Sequence, residues 1–184
     1  MGIGLILLGI AAVLVVWFIT IYNGLVKLRT MVEEGWSGID VQLKRRANLI
    51  PNLVETVKGY MSHEKTLLNE VTELRTRSLD ATEVGQQSAV EDQLSRAISR
   101  IFAVAENYPD LKASRNFIDL QQQLAEIEDQ IQMARRYYNG TVRNLNIKVD
   151  QFPSNIVAAR FNFVKAEFFE IEEPGDRAVP KVAF

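Results

Sequence analysis

The first charged side chain in this sequence is Lys27, and residues 3–22 (IGLILLGIAAVLVVWFITIY) form one apolar run. Twenty residues of helix cover about 30 Å, the thickness of a bilayer's hydrocarbon core. Thirteen of the twenty are Leu, Ile, Val or Phe. At roughly −0.3 to −0.6 kcal/mol each near the bilayer centre, they favour insertion. A core helix of a small protein shows a polar face, and this run shows none. A cleaved signal needs a basic n-region, a shorter apolar stretch and a small-residue cleavage site. Here Met-Gly-Ile-Gly opens without a basic side chain, and Phe18 to Tyr22 is bulky. The run therefore reads as a retained single-pass anchor over residues 1–26, with Trp17 and Tyr22 at the headgroup level.

Lys27 and Arg29, then Lys44, Arg45 and Arg46, follow the run, and no basic residue precedes it. The positive-inside rule predicts the N-terminus outside and the remaining domain in the cytoplasm, at a bacterial inner membrane. Ile6 stands where a myristoylation motif needs Ser or Thr, and no cysteine is present for acylation. The absence of cysteine also excludes disulfides, thiolate metal sites and cysteine nucleophiles. A net charge of −2 gives no broad basic surface for nucleic acid. Lys44-Arg45-Arg46 reads as a solvated helix face.

The soluble part is predicted all-α. Steps of seven from Trp36 give Trp36, Leu43, Ile50, Val57, Glu64 and Val71, and from Ile39 give Ile39, Arg46, Leu53, Tyr60, Leu67 and Leu74. That pattern predicts one long amphipathic helix over 36–76. Pro51 predicts a bend near 47–51, or a helix start there. Ser37 and Asp40 have capping-box spacing beside Gly35 and Gly38, so a break there and a helix continuous from the membrane are both allowed. Residues 77–87 read as a connection, and Ser88 with Glu91 as a second capping box. The helix that follows, carrying Leu94, Ile98, Ile101 and Ala105, stops at Tyr108-Pro109. A third helix steps through Phe117, Leu124, Ile131, Tyr138, Leu145 and Phe152 until Pro153. The expected architecture is an antiparallel bundle of long helices over residues 27–170, a rod more than a ball.

Five of the nine phenylalanines fall in 152–169. They read either as a cap on the bundle's end or as a sticky patch for membrane or subunit contact. Residues 171–184 read as a mobile tail.

No catalytic, cofactor-binding or metal-binding residue is assigned. His63 is the single histidine, and the stretch around it lacks the second histidine of a zinc-protease helix. Glu-x-x-His pairs for a di-metal bundle are not present. Glu126, Glu128 and Asp129 read as a charged helix face, and the Asn139-Gly140-Thr141 sequon as a chance match. Tyr137, Tyr138, Asn139, Asn144 and Asn146 read as helix-to-helix hydrogen bonding. Arg46 and Glu64, which interrupt the seam, read as a paired buried charge or as the point where the helix meets solvent.

The run from Trp36-Ser37-Gly38-Ile39-Asp40 through Leu49-Ile50-Pro51-Asn52-Leu53 to Gly59-Tyr60, then His63-Glu64, closely resembles the LemA family of bacterial membrane proteins. Glu106-Asn107-Tyr108-Pro109-Asp110-Leu111, Asn116-Phe117, Ala134-Arg135, Tyr138-Asn139, Phe152-Pro153 and Phe168-Phe169-Glu170 agree with it, as does Tyr22-Asn23. The resemblance spans nearly all of residues 22–170. It implies one N-terminal membrane helix, a helical bundle, and kinship with MamQ, a magnetosome membrane protein linked to membrane invagination. It carries over no catalytic residue. The expected function is a non-enzymatic membrane-anchored scaffold that self-associates and organises or remodels the inner membrane. The alternative is an adaptor or sensor presenting its bundle or its tail to another membrane protein. The expected partners are the lipid bilayer, further copies of the chain as a homo-oligomer, or that other membrane protein, with no cofactor and no nucleic acid.

Overall fold

The computed structural model describes residues 2–61 and 63–169, and the tail expected over 171–184 lies outside them. The described residues are all-α, with no strand among them. Six helices follow in order: α1 Gly2–Lys58, α2 Lys65–Asp80, α3 Val84–Ala105, α4 Pro109–Lys112, α5 Arg115–Asp150 and α6 Ser154–Arg160.

The anchor and the first bundle helix are one helix. Residues 2–20 are exposed throughout, and the first buried positions of α1 are Ile21 and Leu25. Nothing in residues 2–20 is buried by the rest of the described chain. Thr20, the run's one aliphatic hydroxyl, donates to the Val16 carbonyl at 2.8 Å. Its polar group is thereby satisfied within the helix. Among the described residues, α1 is the one helix long and apolar enough to cross a membrane. Gly35 and Gly38 do not interrupt α1, and Ser37 with Asp40 lies mid-helix rather than at a cap.

Two expected boundaries need correction. First, α1 does not reach residue 76; it ends at Lys58, and α2 begins at Lys65. The Tyr60 and Met61 amides both donate to the Val57 carbonyl, tightening the last turn, and Met61 is fully buried beneath it. Second, the connection expected over 77–87 is only residues 81–83. Ala81 adopts an extended conformation and breaks the helix without glycine or proline. Ser88 and Glu91 lie inside α3, buried, and cap nothing. Pro51 neither starts nor stops α1. Its missing N–H would have met the Ala47 carbonyl one turn back. Arg75 Nε of α2 donates to that carbonyl at 2.7 Å instead.

The chain divides into two compact units. One comprises residues 41–132 with Phe169 and contains the C-terminal part of α1, then α2, α3, α4 and the start of α5. Its core is Ile50, Leu53, Val57 and Met61 from the α1 side, Leu67, Leu68, Val71 and Leu74 from α2, Leu94, Ile98 and Ile101 from α3, and Leu111, Phe117 and Leu124. Each such side chain contributes about 1.5–3 kcal/mol of burial. The three-residue connection makes α2 and α3 an antiparallel hairpin.

The other unit comprises residues 2–40 and 133–168. Here α1 and the end of α5 run antiparallel, with the Trp36 and Tyr138 rings 5.6 Å apart. Ser154 Oγ donates to the Lys148 carbonyl at 2.7 Å and so caps the end of α5 before α6 begins. At the end of α6, Asn162 takes a left-handed conformation (φ 56°). The Phe163 amide then reaches back to the Ala158 carbonyl at 3.0 Å, the six-to-one bond of a Schellman turn. The turn sends residues 163–168, which form neither helix nor strand, back along α5 as a strap. Asn146 holds the strap from both sides, its Nδ2 donating to the Ala166 carbonyl and its Oδ1 accepting the Ala166 amide, both at 2.9 Å. Tyr138 donates its hydroxyl to the Glu167 carbonyl at 2.8 Å.

Candidate functional site

Two side-chain clusters stand out, one in each unit. In the unit of residues 41–132, α3 carries Gln87, Glu91 and Ser95 at successive spacings of four, which places them on one face. Ser78 of α2, Arg46 of α1 and Glu128 of α5 converge on that face. Arg46 and Glu91 are both almost wholly buried. Arg46 Nη2 donates to the Glu91 carboxylate, which also accepts from Ser78 Oγ and from Gln87 Nε2. Arg46 Nη1 donates to Glu128 Oε2 at 2.6 Å and to Ser95 Oγ. One guanidinium thus meets two carboxylates, and four helices share the network.

Desolvating both partners costs about as much as their attraction returns. The network therefore contributes alignment of four helices more than net stability. Arg46 Nε is buried without a hydrogen-bond partner among the described residues. A cleft of about 330 Å³ opens beside it, lined by Arg46, Ser95, Ile98, Phe102, Leu124 and Glu128. The cleft offers the hydroxyls of Ser95 and Ser99, the Gln121 amide, the Glu128 carboxylate and one neutralised cation over an apolar floor. Within it Ser95 Oγ donates to Glu128 Oε2 at 3.2 Å, the same oxygen that accepts from Arg46.

The sequence-based reading misplaced several of these residues. Arg46 does not pair with Glu64 and does not share the solvated face of Lys44 and Arg45, both of which are exposed. Glu64 sits in the turn before α2, half-buried, where the helix meets solvent. Glu128 is turned from the charged face of Glu126 and Asp129 onto Arg46. Glu91 was legible as a network member: it continues the stripe Ile101, Ile98, Leu94 backward by three residues. His63 is exposed in the turn between α1 and α2. Among the described residues, no group of three or more His, Asp or Glu is placed to hold a metal ion.

The second cluster lies at the base of the apolar run. The Phe161 ring packs 5.8 Å from Phe18 and 4.9 Å, edge-on, from Tyr22. Phe163 meets Tyr22 at 5.7 Å and takes the Arg29 guanidinium over its ring at 5.3 Å. Phe163 and Phe169 are buried, whereas Phe152 and Phe161 are exposed. The phenylalanine-rich segment therefore divides between a packed side and an open side. Of the α5 residues expected to bond helix to helix, Tyr138 and Asn146 hold the strap instead, and Tyr137 and Asn144 are exposed. Burial, with the Glu167 carboxylate adding to it, holds the Tyr138 phenol above its ordinary value of 10.0. Thr141 is buried and donates to the Tyr138 carbonyl, mid-helix.

Known proteins match this chain over most of its length. "Magnetosome protein MamQ 2" of Paramagnetospirillum magneticum is 25% identical over 184 residues, covering 86% of this chain and 68% of that protein. "Magnetosome protein MamQ" of Magnetospirillum gryphiswaldense is 22% identical over 203 residues, covering 94% and 75%. "Protein LemA" of Metamycoplasma hominis is 28% identical over 156 residues, covering 82% and 69%. The LemA family model matches residues 35–184, which include the Arg46–Glu91–Glu128 network, the strap and α6. The chain belongs to the LemA family.

Proposed function

We propose that this protein is a non-enzymatic, membrane-anchored helical scaffold that self-associates and organises or remodels the bacterial inner membrane. The carrying observation is the join in α1. The exposed apolar run passes without a break into the packed stretch at Ile21, Leu25 and Val32. A flexible tether would leave the folded part indifferent to the bilayer. A continuous helix instead fixes the tilt of residues 21–40 and of the α5 turns packed on them relative to the lipid. Copies confined to one membrane then meet in similar orientations at raised effective concentration, so modest contacts suffice for assembly. The buried polar groups fit this reading, because Arg46, Glu91 and Ser78 are spent on one another rather than presented to a substrate. Similarity to magnetosome proteins also fits it.

The test is the oligomeric state of the full-length chain, by single-particle imaging after gentle extraction and by crosslinking in cells. Assemblies of several copies are expected. A uniform monomer together with no crosslinks between copies would sink the scaffold reading in favour of the adaptor.

A further inference from the structure

Residues 151–166 contain no Asp or Glu and two cations, Arg160 and Lys165. Within that stretch α6 buries Ser154, Val157 and Ala158 and turns Ile156, Ala159 and Arg160 outward. Phe152 and Val164, each 75% exposed, flank it, with Ile156 at 62% and Phe161 at 44%. Four large apolar side chains so close in sequence are a poor surface to leave in water. Their height along α1 is fixed by the aromatic contacts: Phe161 touches Phe18 and Tyr22, the last residues of the apolar run. That is where a helix spanning about 30 Å of hydrocarbon emerges into the headgroups. The open side of α6 is therefore continuous with the lipid-facing surface of residues 2–20. Its single outward cation, Arg160, lies 5.9 Å over the Phe161 ring, with no carboxylate in the stretch to oppose an anionic headgroup.

We propose that the turn from Phe152 to Val164 is a second membrane contact, with Phe152, Ile156, Phe161 and Val164 lying in the interfacial layer and Arg160 at the phosphates. The occupant of this surface is the lipid bilayer. The inference rests on the reading of residues 2–20 as a membrane span. A membrane helix gripped by a short amphipathic element at its exit cannot rotate freely about its own axis. The contact therefore fixes which face of residues 21–40 looks along the membrane, and not only how deep the anchor sits.

The absence of cysteine makes the test direct. Full-length Ile156→Cys and Val164→Cys variants are spin-labelled and reconstituted in mixed phosphatidylcholine–phosphatidylglycerol vesicles. Collision with oxygen is compared with collision with a water-soluble nickel chelate. Leu8→Cys reports on the span, and Arg136→Cys, exposed on α5 beside Tyr138, reports on water. The expected result is an oxygen-to-nickel ratio at Ile156 and Val164 severalfold above that at Arg136 and below that at Leu8. Ratios equal to that at Arg136, with Leu8 still shielded, overturn the second contact and leave the span intact. A Leu8 label as open to nickel as Arg136 overturns the span reading itself, and the second contact falls with it. Labels at Ile156 that broaden one another, and sharpen when diluted with unlabelled chain, show a second copy on this face and also overturn the proposal.

Discussion

A Cβ added at Gly35 would stand 3.2 Å from the Tyr138 Cα and 3.4 Å from Thr141 Oγ1. The first neighbour is backbone, held by the helix to which it belongs, and gives way only if the pair of helices parts. Gly35→Leu should destabilise the fold by about 1–3 kcal/mol, the usual cost of overpacking. Gly38, three residues on, has nothing within 4 Å of that position, and Gly38→Ala should add up to about 1 kcal/mol of helix propensity. Denaturant titration in mild detergent, followed by helicity, measures both, and a gain for Gly35→Leu would refute the close approach. Tyr138, facing Gly35, predicts a pH dependence. Its folded pKa is raised above the unfolded value of 10.0, so its contribution is complete below that value and is lost as pH rises through the folded one. At neutral pH Tyr138→Phe should cost about 1 kcal/mol for the bond to the Glu167 carbonyl. The stability gap between the two proteins should close as pH passes about 10. A gap unchanged into strong alkali would show that the folded and unfolded phenols ionise alike, and that burial does not raise the folded one.

At the scale of elements, α1 carries a proline and survives it. The Ala47 carbonyl, orphaned by Pro51, is the acceptor for Arg75 Nε. Proline and arginine are thus predicted to be coupled. Arg75→Met should cost about 1–3 kcal/mol in the natural chain, because it leaves a half-buried acceptor unmet. In a Pro51→Ala background, where the backbone N–H returns, the same change should cost clearly less. Additive effects in this double-mutant cycle would break the link. The same helix shows what sequence could and could not reveal. The buried positions Leu25, Val32, Ile39 and Leu53 fall on one seven-residue ladder with Arg46 between them, so the stripe was readable well before Trp36. The turn after Lys58 was harder to see. Val57 and Val71 are both buried and two heptads apart, although they belong to different helices. Periodicity alone cannot register a reversal that happens to preserve phase. The signal was local: Gly59 and a polar Glu64 standing in the seam. The short link at 81–83 left none, because Ala81 turns through an ordinary extended conformation.

For the molecule as a whole, the apolar run was legible from composition, since nineteen exposed residues with no charge admit few alternatives. The buried network was not. Arg46 and Glu91 each stand on an apolar stripe, unlike Arg45 or Glu126, but nothing in the sequence pairs the two or brings Glu128 to them. Sidedness is a prediction at this scale. Thr82 lies exposed in the link between α2 and α3. With the positive-inside arrangement, a single Thr82→Cys variant should escape an impermeant thiol reagent in intact spheroplasts and react fully once the membrane is opened. Labelling before lysis would place the domain on the outer side.

The strap over residues 163–168 is neither helix nor strand, and backbone whose amides are unmet is a template for pairing between chains. Asn146 meets this hazard. By taking both the amide and the carbonyl of Ala166, its side chain performs the pairing that a residue of an adjacent strand would perform. A foreign strand cannot zip past a rung already occupied.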